Sequence, residues 1–432
     1  MRFIYKYNID SVKLLTKKLL SYSQKVNYSA IFISNNTCEN NSLPKDYLTY
    51  DLIAGIDSID ELICNNQAIN RLNKFRNTSN DWLFGALSYD LKNEIEDLTS
   101  ENKDKIQSNL VSFFIPKYVF LLSGKELKVL TYEKKKNVDS IICYSKNIQS
   151  DSFLNINLNC RESKVKYLNK IEKIKEHIQR GDIYELNYCI EFFAEDVLLS
   201  PYYLFYQLNK KTNNPFAGFL KIKNQYILSA SPERFLRKDN NQLISQPIKG
   251  TIRRGEDFQE DIFLINYLKN NSKEISENIM ITDLVRNDMS ITALNSSVNV
   301  HELCKVYTFE KIHQMITTIV SEVKENQQLS SLLKSIFPMG SMTGAPKLKA
   351  MQLIDLYEEF KRGYFSGSIG YIKPNGNFDF NVIIRSILYN KDLKYLSVGV
   401  GGAITIKSDP HKEYEECITK IRPILEIFNK EY

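Results

Sequence analysis

The sequence predicts a mixed α/β protein with many antiparallel strands. Three observations lead there. Short runs of aromatic and β-branched residues recur along the chain, bounded by turn signals, as strands require. Amphipathic spacing of the helical kind appears only in places. Strands and helices also lack the strict alternation of a doubly wound sheet. With 432 residues, 43% hydrophobic and 25% charged, the chain has the makeup of a soluble globular protein able to bury a sizeable core.

Charge and cysteine use narrow the function classes. The formal charge of +6 suits an anionic small molecule. No basic tract with interleaved aromatics appears, so no nucleic-acid partner is expected. Seven cysteines (Cys38, Cys64, Cys143, Cys160, Cys189, Cys304, Cys417) are scattered and form no C-x-x-C pair. That favours free thiols in a reducing compartment over disulfides or zinc. The start, "MRFIYKYNID", lacks an apolar run followed by a cleavage site. No stretch approaches the ~20 apolar residues that span a bilayer. A cytoplasmic protein without a membrane partner is the expectation.

Along the first 150 residues, "YSAIFIS", "WLFGALSYD" and "KYVFLLSG…KVLTYE" read as strands. Asn137 to Asn159 is polar and reads as a connection. From Val165 to Gln179, Leu168, Ile171, Ile174 and Ile178 recur at helical spacing, ended by Gly181-Asp182. Strands "FAGFLKI", "QYILSAS", "RFLRK" and "QLISQPI" follow, with "KDNN" as a turn. "QPIKGTIRRG" reads as a tight turn leaving a strand. One helical stretch covers Phe258 to about Asp288. Another begins after "GSMTGAPK", with Thr343 near its cap and Pro346 in its first turn. The segment from "SGSIGYI" through "VGVGGAITI" reads as three antiparallel strands, the first two joined at "PNGN". A last helix opens at Ser408-Asp409-Pro410, and Pro423 should kink or end it.

Four groups in this later part could carry chemistry. Glu233 in "SASPERF" and Lys249 in "QPIKGT" fall on strands joined by the "KDNN" turn. A carboxyl beside a lysine suits acid/base or nucleophilic work, and an ordinary surface ion pair has the same signature. In "SENIMITDLVRND", Glu277, Ile281, Leu284 and Asp288 share a helical face. In "HKEYEECITK", Glu413, Glu416 and Lys420 share another, a pattern common on solvent faces. Magnesium is held by one or two carboxylates plus substrate oxygens and water, so Glu277 and Glu416 could hold it if their helices meet. Arg385, in "NVIIRSI", lies in an apolar strand and needs an anionic partner. That partner could be a carboxylate ligand or a buried acid of the chain. Gly399, Gly401 and Gly402 on the next strand let backbone amides approach a ligand.

The ordered series "GDIYELN", "SPERF", "PIKGT", "ENIMITDLVRND", "GSMTGAPK", "SGSIGYI", "IIRS", "VGVGGAI" and "SDPHKEYEE" resembles the chorismate-utilising enzymes, from about Lys164 to the C-terminus. The resemblance implies one α/β unit of two packed, mostly antiparallel sheets surrounded by helices. Its N-terminal part would be residues 1–150, a weak match, and its chorismate-binding catalytic region residues 160–432. It implies chorismate as substrate and Mg2+ as cofactor, with Glu277 and Glu416 as metal ligands. Arg385, Gly401, Gly402, Ala403 and Lys420 would bind carboxylate. Gly250 and Thr251 would lie along the substrate, with Ser341 near its ring. Glu233 would be the general acid at the C4 hydroxyl.

Two positions divide the family by reaction. The lysine before Gly-Thr, Lys249, resembles the branch that forms aminodeoxychorismate, where it attacks ring carbon C2. Branches that add water carry a lysine where Glu185 stands, which argues against them; amine-forming relatives often have glutamine there. Gln314 replaces a histidine of many relatives, His313 beside it should point elsewhere, and Phe365 replaces a tyrosine of some. Burial and a nearby metal should lower the Lys249 pKa, with Arg253 and Arg254 adding to this if they point inward. No Cys–His–Glu glutaminase set is evident, so ammonia is expected from a separate glutamine amidotransferase subunit. The rival readings are anthranilate synthesis, a non-catalytic chorismate-binding protein and, remotely, a pyridoxal-phosphate enzyme.

Overall fold

The computed structural model describes residues 1–35, 49–144 and 156–428. Antiparallel pairing joins its strands into one long ribbon that folds over into two facing layers. The first layer runs, neighbour by neighbour, through Tyr28–Ile33, Phe216–Ile222, Gln225–Ser231, Ser386–Asn390, Tyr395–Ile404 and Glu185–Ala194. The second runs through Asn299–Thr308, Ile312–Glu322, Gln242–Gln246, Arg234–Asp239, Phe378–Asn381, Ser368–Ile372 and Leu83–Leu87. Two long strands, Leu52–Cys64 and Val111–Ser123, connect them. The expected two packed antiparallel layers are therefore present, and their hydrogen-bonded ladder is continuous.

Side-chain alternation explains why the ribbon folds. Ala30, Leu220 and Leu388 on one layer meet Phe84, Phe113, Ile369 and Phe380 on the other. Phe32 stacks on Phe84 across the gap, with ring centroids 6.1 Å apart. The opposite face of the first layer, with Ile31, Phe219 and Leu228, is covered by helices Lys164–Arg180, Pro201–Thr212 and Pro410–Leu425. Burying apolar area on both faces of this layer is the main driving force for the fold.

Most predicted elements lie where the sequence places them, and the exceptions have physical reasons. "QLISQPI" is broken at Pro247, which lacks the N–H a ladder needs. Gln242–Gln246 and Ile248–Arg253 are separate strands on the same partner, Ile312–Glu322. "QPIKGTIRRG" is thus not a turn leaving a strand but a second strand with a bulge between Ile248 and Thr251. The single helical stretch is two helices, Phe258–Asn270 and Ser272–Ser290. Asn271 divides them, its side chain accepting from the Lys273 and Glu274 amides. Thr343 does not cap the following helix; it closes the short turn Gly340–Met342, its hydroxyl donating back to Met339 O, and Pro346 takes the cap position of Lys347–Tyr357. The C-terminal strand region holds four strands rather than three, because the segment around Arg385 (φ 51°) breaks the run. Lys164–Arg180 ends at Gly181 as expected, and Pro410–Leu425 continues just past Pro423. Part of the expected connection is the helix Lys135–Ile142; residues 145–155 lie outside the described residues, as does Cys38. Among the described residues the other six cysteines are free. Among the described residues, no helix is long and apolar enough to cross a membrane.

Candidate active site

The bulge in Ile248–Arg253 is what presents Lys249. Gly250 has φ 89°, a left-handed conformation that a side chain would strain. An added Cβ there would also sit 3.1 Å from Leu268. From the Ser272–Ser290 helix, Asn278 Nδ2 reaches Lys249 O at 3.5 Å and Met315 O at 3.4 Å, tying helix, bulge and neighbouring strand together. The lysine side chain is thereby aimed across at the strand Glu185–Ala194. Its Nζ donates to Glu185 Oε1 at 3.0 Å, with the two side chains 11% and 1% exposed.

The lysine is thus buried and paired, and its pKa runs opposite to the sequence expectation. Burial works to lower it, but the charges of Glu185, Glu277 and Glu233 together hold it above its ordinary value. Arg253 and Arg254 do not bear on it. Arg253 pairs with Glu260. Arg254 grips Asp261 at 2.9 Å and Phe309 O at 2.9 Å. His313 belongs to the same outer group, with Nε2 2.9 Å from Asp261 Oδ1.

Glu233 is buried beside this lysine. Its Oε1 accepts from Ser341 Oγ at 2.7 Å, so two residues named from separate motifs meet. Burial pushes its carboxyl up to about 7, against the opposing pull of Ser341 and Lys249. A carboxyl of this kind can carry a proton near neutrality and give it up. Arg385 is half-buried and feels the charges of Glu233 and Glu416. It is not within a strand; it lies just before Ser386–Asn390. No acid of the described residues makes an ion pair with it, which leaves its guanidinium open to an anion. Burial lowers its pKa, the cost an anionic ligand would offset.

The helices bearing Glu277 and Glu416 do converge. Lys273, which sequence reasoning did not single out, bridges them. It lies 3.1 Å from Glu413 and 3.7 Å from Glu277. Glu413 is 2% exposed, so it faces inward and not to solvent. Lys420 donates to Gly401 O at 2.7 Å and pairs with Glu416 at 2.7 Å. Its positive charge holds the Glu416 carboxyl below its usual range. Burial lifts the Glu277 carboxyl to about 7. Gly402 abuts this group: a Cβ there would sit 3.5 Å from Glu413 and 3.6 Å from Glu416.

The donor set fits a magnesium ion. Among the described residues Glu277 Oε1 is buried with no hydrogen-bond partner, and an ammonium, Lys273, already lies between Glu277 and Glu413. Among the described residues no group of three or more acids, histidines or cysteines could hold a metal on its own. Magnesium does not require one, since substrate oxygens and water complete its shell.

Two departures are also located. Gln314 is fully buried in register with Thr251, and among the described residues neither end of its amide has a hydrogen-bond partner. Phe365 packs on Gly399, where a Cβ would come within 2.3 Å of its ring, so it serves the core. Sequence order signalled Glu233, Lys249, Glu277 and Glu416. Lys273 carried a weaker signal, four residues before Glu277.

The chain is also similar to known proteins. A family model described as chorismate binding enzyme matches residues 33–426. An aminodeoxychorismate synthase component 1 of Escherichia coli is 37% identical over 282 residues, 65% of this chain and 62% of that protein. A chloroplastic aminodeoxychorismate synthase of Arabidopsis thaliana is 39% identical over 264 residues, 60% of this chain and 28% of that protein. The alignments thus span less than two thirds of either relative. An anthranilate synthase component I from Streptococcus pneumoniae superimposes with a TM-score of 0.76 at 22% identity, over 89% of this chain and 93% of that one.

Proposed function

The chain belongs to the chorismate binding enzyme family, and we propose that it converts chorismate and ammonia into 4-amino-4-deoxychorismate. The observation that carries this reading is Lys249, buried beside Glu185 and within the field of Glu233. A lysine held inside a site built for a dianion is a nucleophile in waiting.

Arg385, Lys420 and the amides of Gly401, Gly402 and Ala403 bind the carboxylates. Gly250 and Thr251 run along the substrate. The lysine, as a free amine, adds to C2; the ring double bond shifts and the C4–oxygen bond breaks. Glu233 gives its proton to the departing hydroxyl, which leaves as water. Ammonia then adds at C4, the double bond shifts back and the C2–nitrogen bond to Lys249 breaks. Glu233 recovers its proton from the new ammonium. Splitting the substitution gives two easier steps. Glu277 and Glu416 would hold magnesium, whose charge would offset that of the ring carboxylate.

Support for a partner comes from the Escherichia coli relative, whose name as component 1 implies a second component. We take ammonia to come from a separate glutamine amidotransferase. The decisive experiment is purified protein with chorismate, magnesium and ammonium, read by mass spectrometry. Aminodeoxychorismate is the expected product. Anthranilate with pyruvate would establish the rival reaction, and no turnover would leave a binding protein. Lys249→Ala should lose covalent capture; the same product at an unchanged rate would refute the nucleophile assignment.

A further inference from the structure

The reading above leaves one proton without an owner. Lys249 is held in its charged form, and a charged ammonium cannot attack C2. The charges acting on it come from several elements. They are Glu185 on Glu185–Ala194, Glu233 beside Arg234–Asp239, Glu274 and Glu277 on Ser272–Ser290, and Glu416 and Lys420 on Pro410–Leu425. Among the described residues, only Glu185 is within hydrogen-bond reach, at 3.0 Å. Its second oxygen, Oε2, is buried and accepts a hydrogen bond from none of the described residues. We infer that Glu185 is the base that takes the Lys249 proton, so that the lysine attacks as a neutral amine. This rests on the nucleophile reading given under Proposed function.

In water the transfer would be uphill, because lysine and glutamate differ by about six pH units. Two charges removed from water lose far more hydration than the corresponding neutral pair, a loss that opposes the carboxylates holding the lysine charged. Burial of both side chains supplies this condition. The protons balance. Nζ–H passes its proton along the 3.0 Å contact to Oε1. The amine forms the C2–nitrogen bond, carries a positive charge as the adduct, and leaves as a neutral amine when ammonia adds at C4. Glu185 then returns the proton. A glutamine in this place could accept the same hydrogen bond but could not keep the proton.

The test is the rate at which Lys249 acquires chorismate, less water, in the absence of ammonia. Rapid quenching, digestion and peptide mass give that rate, measured from about pH 6.5 to 9. Glu233 must carry its proton for water to leave, so a wild type whose Lys249 proton stays within the pair captures at a level rate below about pH 7 and falls about tenfold per unit above it. In Glu185→Gln the lysine must lose its proton to solvent. Relative to the wild type at the same pH, its rate should be roughly 100-fold lower near pH 7 and climb about tenfold per pH unit. Capture by the variant at the wild-type rate and with the wild-type pH profile would overturn the inference and leave the nucleophile reading standing. So would a wild-type rate that stays level from about pH 7 to 9, which decides the matter even if the variant does not fold. Turnover of chorismate with no adduct on wild-type Lys249 would overturn the nucleophile reading and this inference with it.

Discussion

Glu233→Gln should make the protein more stable while disabling it. Glu233 is 4% exposed, and burial raises its carboxyl from 4.5 to about 7. A carboxyl raised above its unfolded value folds best when protonated. Its full contribution is present below pH 4.5, is lost as pH rises, and is gone once pH passes about 7. At 1.36 kcal/mol per pH unit, the gap between 4.5 and about 7 costs about 3 kcal/mol. Glutamine never charges, so the variant escapes this cost. It keeps the Ser341 donation but cannot also accept from the Ile248 amide, which returns about 1 kcal/mol. The net gain at pH 8 is about 2 kcal/mol, and it reverses to a small loss at pH 4.5. Urea melts at both pH values measure the difference, and chorismate turnover should fall by about 10²–10⁴. A variant whose advantage is equal at both pH values, or negative at pH 8, would refute the reasoning.

Other predictions follow the same logic. Arg385→Ala should weaken chorismate binding by about 10–100-fold without lowering the melting temperature, because no acid of the described residues is left unpaired; titration calorimetry and a thermal melt check both halves. Lys221 is buried, donating to Tyr202 Oη at 2.9 Å and Ser23 O at 3.2 Å, and burial lowers its ammonium to about 8. A lysine lowered in this way costs stability below pH 8 and less as pH rises toward 10.5, so Lys221→Met should gain about 1–2 kcal/mol at pH 7 and lose that advantage near pH 10 in denaturant melts. Gly401→Ala places a Cβ 2.3 Å from Tyr188 O and 2.4 Å from Cys189 Sγ, so it should part the strand pair, cost about 3 kcal/mol or more and abolish chorismate binding, as unfolding and calorimetry would record.

Much of the site was legible because its residues lie in short, distinctive strings. Lys249, Glu233 and Ser341 were each marked by their own motif, and the fold brings the last two into contact. Periodicity placed Glu277 on the inner face of its helix, where it is buried. What the sequence could not carry were contacts made across the fold. Glu185 reads as an isolated departure until Lys249 arrives from a bulge on another strand. Glu413 reads as a solvent-face charge, and Lys273 does not stand out at all, until their helices converge. The Lys249 pKa was misjudged for the same reason: burial was foreseen, but the three facing carboxylates were not. Arg385 looked like a strand residue because its neighbours are apolar, and only its positive φ shows the break.

The folded-over ribbon has a consequence for how the chain is made. Tyr28–Ile33 pairs with Phe216–Ile222, and Leu83–Leu87 pairs with Ser368–Ile372. The early strands therefore leave the ribosome long before their partners exist. At ~5–20 residues per second, Leu83–Leu87 waits on the order of 15–60 s for Ser368–Ile372. Throughout that wait it presents an unpaired apolar edge, the kind that invites pairing with other chains. Synthesis, rather than the finished fold, is where this protein is most exposed to aggregation, and a nascent chain halted before Ser368 should occupy a chaperone that the complete one no longer needs.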